Sequence, residues 1–152
     1  LRTWAHYWTK RTVLTERSNL LEHTASDRFR IRGVASGDRV YVVSFWDGTL
    51  RVFGRMDVAR IVDQAQAERI FGHDLWEAKD HLIANPGSAT MFGHAVVPGP
   101  ELGKVEVVTA DGTMVGVKYN QRGKVEPQSF RSEVREISKT TSRLFDRVLN
   151  SR

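Results

Sequence analysis

The chain contains no cysteine. Disulfide frameworks, thiolate nucleophiles and Cys-ligated zinc are thereby excluded, a usage that fits a cytoplasmic protein. Long apolar runs are also missing. No stretch could span a bilayer, and no signal-peptide pattern is present. Glycine-rich phosphate loops are absent: Gly93, Gly99 and Gly103 are scattered, and neither Gly-Lys-Ser nor Gly-Lys-Thr occurs. There is no GxSxG elbow, and the five histidines show no HExxH spacing. His73 and His81 do not share a close helical face, and Gly72-His73-Asp74 reads as a helix break followed by a cap. A catalytic or metal centre needs partners this chain lacks. We therefore expect no enzymatic activity, no metal and no cofactor. Internal repeats, low-complexity tracts and domain linkers are missing too, so 152 residues are expected to form a single domain, 1–152. A start at Leu1 rather than Met is compatible with a chain trimmed or cut from something longer.

What is present begins with charge. Lys and Arg number 23 against 18 Asp and Glu, for a formal net charge of +5, and the pI is about 9.9. Arg carries most of the excess and is the better residue for bidentate phosphate contacts and for stacking on bases. Such a balance points to a polyanionic partner, with a merely solvated basic surface as the alternative.

The pattern along the chain is that of an α+β domain. TWAHYWTKRTV (Thr3–Val13) is rich in aromatic and β-branched residues and reads as a strand. TERSNLLEH reads as a short helix capped by Thr15. In DRFRIRG, Phe29 and Ile31 alternate with Arg28, Arg30 and Arg32, the period-two mark of a half-buried extended segment with three guanidinium groups on one face. RVYVVSFW and TLRVFGRMDVARIV form a hairpin about Asp47-Gly48. In it Tyr41, Val42 and Val43 read as a strand buried on both faces. Asp63 caps the helix QAQAERIF, which ends at Gly72. Asp74 is placed to cap a second helix, LWEAKDHLIA, ending at Asn85-Pro86-Gly87. ATMFGHAVVP reads as a strand, and KVEVVTADGTMVGVKYN as a hairpin with Asp111-Gly112 at its tip. QRGKVEPQSF reads as a loop or short strand. A C-terminal helix capped by Ser138 carries an apolar stripe of Ile137, Thr141, Leu144, Phe145 and Val148. Hairpins of this number must close or be covered to hide their edges, which predicts a curved, barrel-like sheet flanked by short helices.

Trp4, Tyr7, Trp8, Phe45, Trp46 and Trp76 are candidate walls for a flat ligand. Lys10, Arg11, Arg28, Arg30 and Arg32 are candidate phosphate contacts. Aromatic walls with hydrogen-bonding groups at the edge are what a pocket for a flipped base requires. Core packing is the ordinary alternative for each ring.

HYWTKRT, TASDRFRIRGVASGDRVYVVSFW with Gly37-Asp38, and TLRVFGRMDVARIVD with Gly54 and Val58 together resemble the opening of EVE domains. These are members of the PUA-like superfamily beside YTH and ASCH domains. The resemblance covers roughly the first sixty residues. EHTASDRF stands where the family has a W-x-x-V-x-N type of segment, and no counterpart is found from Gly103 on. The resemblance implies a PUA-like, barrel-like sheet and a pocket that holds a modified base between aromatic side chains. Ser44, Phe45 and Trp46 would form one wall of that pocket, with Lys10 and Arg11 opposite. Trp8 would be core. Trp76 would be a second wall or a packing anchor. Asn19 and Asp27 have the chemistry to read a base edge and are also ordinary turn and cap residues.

The expected function is a non-catalytic nucleic-acid reader. It docks on phosphates through Arg28, Arg30 and Arg32 and takes up one extruded, modified base, as in the specificity domain of a modification-dependent restriction system. The expected partner is DNA rather than RNA, together with a nuclease domain or subunit, and no membrane. The alternatives are a PUA- or ASCH-like RNA-binding module in RNA modification or translation, and a small-molecule or peptide-binding barrel whose charge is incidental.

Overall fold

Thr3–Tyr7 (β1) is a strand, in keeping with its β-branched and aromatic residues. The strand does not continue to Val13, because the Thr9 hydroxyl accepts from the Thr12 N–H at 3.2 Å and starts the helix Lys10–Thr15 (α1). Thr15 closes that helix instead of opening one, and its hydroxyl donates to the Arg11 carbonyl at 3.0 Å. Residues 1–119, 121–123 and 133–152 are described by the computed structural model. The loop or short strand expected in QRGKVEPQSF lies largely outside the described residues.

After His23–Ser26 (β2), the Arg-rich segment departs from its period-two reading. Phe29–Arg32 (α2) is one turn of helix, closed by Gly33 at a φ of 97°. Phe29 is wholly buried while Ile31 is 75 % exposed, so the two do not share a face. A helix advances about 100° per residue, which swings Arg30 away from Arg28 and Arg32. The three guanidinium groups therefore do not form the single row that alternation predicts.

Arg39–Trp46 (β3) and Thr49–Val62 (β4) form the expected hairpin. Asp47 and Gly48 both have positive φ, at 52° and 68°, the backbone of a tight hairpin turn that favours Asp-Gly. Residues 40–45 are buried, as the apolar run requires. At the register shift beside Val42, Gly54 lies against a neighbouring segment. A Cβ there would stand 3.3 Å from Leu21 Cβ and 3.1 Å from Thr90 Oγ1.

Gln64–Phe71 (α3) is the helix expected after Asp63, with both halves of a capping box between Asp63 and Gln66. The helix expected after Asp74 is absent. Residues 74–79 are irregular, and Asp80–Ala84 (β5) is a strand paired with β2 on one side and β4 on the other. Two side chains one turn apart on α3 hold the irregular stretch open. Gln64 Oε1 accepts from Ala78 N at 3.0 Å, and Glu68 Oε2 accepts from Leu75 N at 3.1 Å. Pairing on both edges overrides a helical propensity worth only tenths of a kcal/mol per residue, about 0–0.7.

The strand read in ATMFGHAVVP shrinks to Ala95–Val96 (β6), followed by the short helix Gly99–Leu102 (α4). Glu106–Val108 (β7) and Met114–Gly116 (β8) form the second expected hairpin. Val134–Ile137 (β9) leads into Lys139–Asn150 (α5), which Ser138 caps through Thr141 N at 3.1 Å.

The strands join into one mixed nine-stranded sheet in the order β2-β5-β4-β3-β1-β9-β7-β8, with β6 on β4. β1 runs parallel to β3. Among the described residues the path is open, with edges at β2 and β8, so the α+β class holds and a closed barrel is not formed. The main core packs α5 on the sheet, with Leu144, Phe145 and Leu149 against Tyr41, Val43, Phe45 and Val52. Leu149 belongs to the buried stripe, whereas Ile137 reaches the same core from the end of β9. Among the described residues no helix is long and apolar enough to cross a membrane.

Candidate functional site

The alternation of β3 decides where its aromatic side chains go. Strand alternation sends consecutive residues of β3 to opposite faces. Ser44 is fully buried, its hydroxyl donating to the Trp8 carbonyl at 2.6 Å. Phe45 enters the main core on the other face. Ser44, Phe45 and Trp46 therefore cannot make one wall. Trp46 is half-buried and packs within a second cluster of Trp8, Val13, Leu21, Val42 and Phe53. Its ring stacks on Phe53 at 5.9 Å, the Arg51 guanidinium lies 4.1 Å from its centroid, and the Lys10 ammonium lies 5.7 Å away. Lys10 thus faces Trp46 as expected, but from the first turn of α1 and not from the end of a strand. Arg11 is exposed beside it.

Aromatic rings continue from Trp46 across the molecule. Phe53 stacks on Phe92 at 5.5 Å, Phe92 lies 5.6 Å from Trp8, and Trp8 meets Trp76 edge-on at 5.8 Å. Trp76 lies 5.2 Å from His23, which is also 5.2 Å from Phe71. The far end of this series opens into a cavity of about 600 Å³. Its walls are His23, Phe71, Trp76 and Phe92, and its polar lining includes Asn19, Glu16, Glu22, His73 and Asp74. Trp46, Ser44 and Phe45 do not line it, and neither do Lys10, Arg11 and Asp27. Of the expected pocket residues, the structure brings Asn19 and Trp76 to this cavity.

Three of the four walls have their own support. The Asn19 carbonyl accepts from Phe92 N at 2.8 Å and fixes that ring's backbone. The Trp76 indole reaches the Ala25 carbonyl at 3.4 Å while the residue stays 39 % exposed. Asp27 does not read an edge here, because its carboxylate accepts from Lys79 N at 2.8 Å and ties down the loop carrying Trp76. His23 is held from behind. In the β2–β5 register His23 faces Ile83 and Ala25 faces His81, so the two histidines are diagonal neighbours on one face. His23 Nε2 and His81 Nδ1 are 2.8 Å apart, and His81 Nε2 is 2.7 Å from Gln64 Oε1. The amide oxygen can only accept, so His81 Nε2 donates to it. His81 Nδ1 then accepts from His23 Nε2, which leaves His23 Nδ1 as an acceptor.

Burial, with the neighbouring His81 adding to it, pushes the His23 imidazole down to about 4, against an opposing pull from Glu16. Burial likewise lowers His81. Deeper in the fold, the Thr24 hydroxyl accepts from the Trp8 indole at 3.0 Å and meets His6 Nδ1 at 2.8 Å. His6 is pushed down to about 3 by burial and, secondarily, by His23. At neutral pH His6 and His23 are neutral rings.

The arginines separate. Arg30 is committed to the fold: its backbone N and Nη1 reach the Asp80 carboxylate at 2.9 and 3.1 Å, and its Nη2 donates to the Ile61 carbonyl at 2.9 Å. Arg28 has no side-chain partner among the described residues. Arg32 lines a separate groove with Arg2 and Arg135. Among the described residues no three His, Asp or Glu side chains converge as metal ligands. His23, Phe71 and Phe92 carry no sequence signal, since they stand in different segments without shared periodicity. Compared with known proteins, the chain matches no family model, no curated sequence and no solved structure.

Proposed function

We propose that the chain is a nucleic-acid reader that takes one extruded, modified base into the cavity walled by His23, Phe71, Trp76 and Phe92, without catalysis of its own. The observation that carries this reading is the convergence of four flat rings on one cavity of about 600 Å³, with amide, imidazole and carboxylate groups beside them. Extruding a base costs a few kcal/mol, and each ring it stacks on returns about 1–3 kcal/mol. The net charge of +5 favours a polyanion. Arg28 and Arg32 remain available for phosphate, whereas Arg30 does not. The α+β sheet with flanking helices and the resemblance to EVE domains favour a PUA-like reader. DNA is the proposed carrier, with a nuclease domain or subunit as the partner that acts on what is read.

Titration with matched plain and modified oligonucleotides, in DNA and in RNA, tests the reading. Trp76 is partly exposed and sits in a loop, so Trp76→Ala is expected to leave the chain folded with a modest loss of stability and to lose about 1–3 kcal/mol of binding. Unchanged affinity in this variant, or equal affinity for plain and modified strands, refutes a base pocket here. Tighter binding of RNA assigns the module to RNA.

A further inference from the structure

The lining of the cavity runs against the charge of the chain. Lys and Arg outnumber Asp and Glu by 23 to 18 in the sequence, yet among the described residues no Lys or Arg lines the cavity while Glu16, Glu22 and Asp74 do. The Glu16 carboxylate is taken up by the backbone N–H groups of Arg17 and Ser18, both at 2.8 Å. The Glu22 and Asp74 carboxylates have no hydrogen-bond or ion-pair partner among the described residues. His23 gives its Nε2 hydrogen to His81 and leaves Nδ1 as an acceptor, and burial keeps the ring neutral. The faces of Trp76 and Phe71 add the negative side of their quadrupoles. Apart from the Asn19 amide, the Ser18 hydroxyl and the His73 imidazole, the described lining of the cavity therefore offers π-faces, lone pairs and negative charge. A neutral ring gains from stacking alone, whereas a flat cation gains both from stacking and from the carboxylates.

We infer that the cavity selects a positively charged, N-methylated base over its uncharged isomers. This rests on the reading of the cavity as a base pocket and names the class of base it takes. Methylation at N1 of adenine or N3 of cytosine places a positive charge on the ring at neutral pH. Methylation at N6 of adenine or C5 of cytosine leaves the ring neutral with the same heavy-atom count. The two members of each pair differ in the position of one methyl group and in one proton, so a comparison within a pair isolates charge from size.

The test is a fluorescence-anisotropy titration of the whole chain with single-stranded oligonucleotides that differ only at one central base. The bases are 1-methyladenine against N6-methyladenine and 3-methylcytosine against 5-methylcytosine. The cationic member of each pair is expected to bind about tenfold tighter, the scale of a partly desolvated cation–π contact joined by a carboxylate. The exposed double substitution Glu22→Gln and Asp74→Asn is expected to abolish the preference without moving the melting temperature. Equal or tighter binding of the neutral isomers, with Trp76→Ala still weakening them, overturns the charge selectivity and leaves the base pocket standing. A preference that survives the double substitution also overturns it. Binding that is insensitive to Trp76→Ala for every oligonucleotide overturns both readings together.

Discussion

Trp46 and Trp76 are both partly exposed indoles, and they differ in what surrounds them. Trp46 ends β3 against Phe53, with Arg51 and Lys10 beside its ring, and it stands apart from the cavity that Trp76 lines. Its removal takes apolar contact from the cluster around Trp8. Trp46→Ala is therefore expected to lower stability by about 2 kcal/mol, less than the cost of a fully buried Trp. Thermal melts paired with titrations on Trp46→Ala and Trp76→Ala separate the two roles: the first should move the melt, the second chiefly the binding. A reversed pattern would return the pocket wall to Trp46. His23 adds a pH dependence. In the unfolded chain an imidazole takes up its proton near pH 6.5, while folded His23 resists it down to about 4. Between those values the unfolded state holds more protons, so stability falls as pH drops from 6.5 towards 4 and is flat above. Each pH unit between the two titrations is worth about 1.36 kcal/mol, so His23 contributes roughly 2–3 kcal/mol to the decline. Denaturant melts of His23→Gln across that range should show a smaller drop, with His6 and His81, both also lowered by burial, contributing to the remainder.

α5 is the element whose packing is clearest. Phe145 is 1 % exposed and meets Tyr41 edge-on at 5.4 Å. The Tyr41 hydroxyl reaches Ser142 Oγ at 2.7 Å and donates to Asp146 at 2.8 Å, and Arg55 pairs with the same carboxylate. The helix is thus joined to β3 and β4 by an apolar face and a polar latch together. Phe145→Ala is expected to cost about 3–5 kcal/mol, measured by equilibrium denaturation. A loss under about 1 kcal/mol would mean that the helix lies free of the sheet. The loop between α3 and β5 depends on long-range contacts instead. Gln64 serves both the loop, through Ala78 N, and the His81 ring, so one side chain couples the cavity's backing to its rim.

At the scale of the whole molecule, charge is distributed unevenly. The cavity is lined by acids, while the guanidinium groups of Arg28 and Arg32 stand elsewhere on the surface. Replacing Arg28 and Arg32 with Ala should flatten the dependence of log K on log salt by up to about 1.4 for single strands, at about 0.7 per phosphate contact. Arg30→Ala should act differently. It strips a partner from Asp80, whose side chain is 6 % exposed, and is expected to lower stability by about 1–2 kcal/mol with little change in the salt slope. A salt slope unmoved by the double substitution would place the phosphate contacts on other cations.

Sequence alone determined the features that a few neighbouring residues can decide. The hairpin turns at Asp47-Gly48 and Asp111-Gly112, the caps Asp63 and Ser138 and the buried run of β3 all depend on local dihedrals, local hydrogen bonds or local hydrophobicity. Asn19 and Trp76, which the sequence offers equally as a turn residue and a packing anchor, both line the cavity. Only the tertiary structure decided the rest. Residues 80–84 have a helix-compatible pattern and became a strand because β2 and β4 offered two edges to pair with. Arg28, Arg30 and Arg32 alternate like a strand and were wound into a helical turn, with Arg30 claimed by an aspartate fifty residues away. The cavity itself joins residues 16, 18–23, 71, 73–76 and 92, and the β2–β5 register places His81 behind it. No local pattern encodes that meeting, because a pocket is made by which surfaces the sheet brings together, and sheet pairing is a long-range choice.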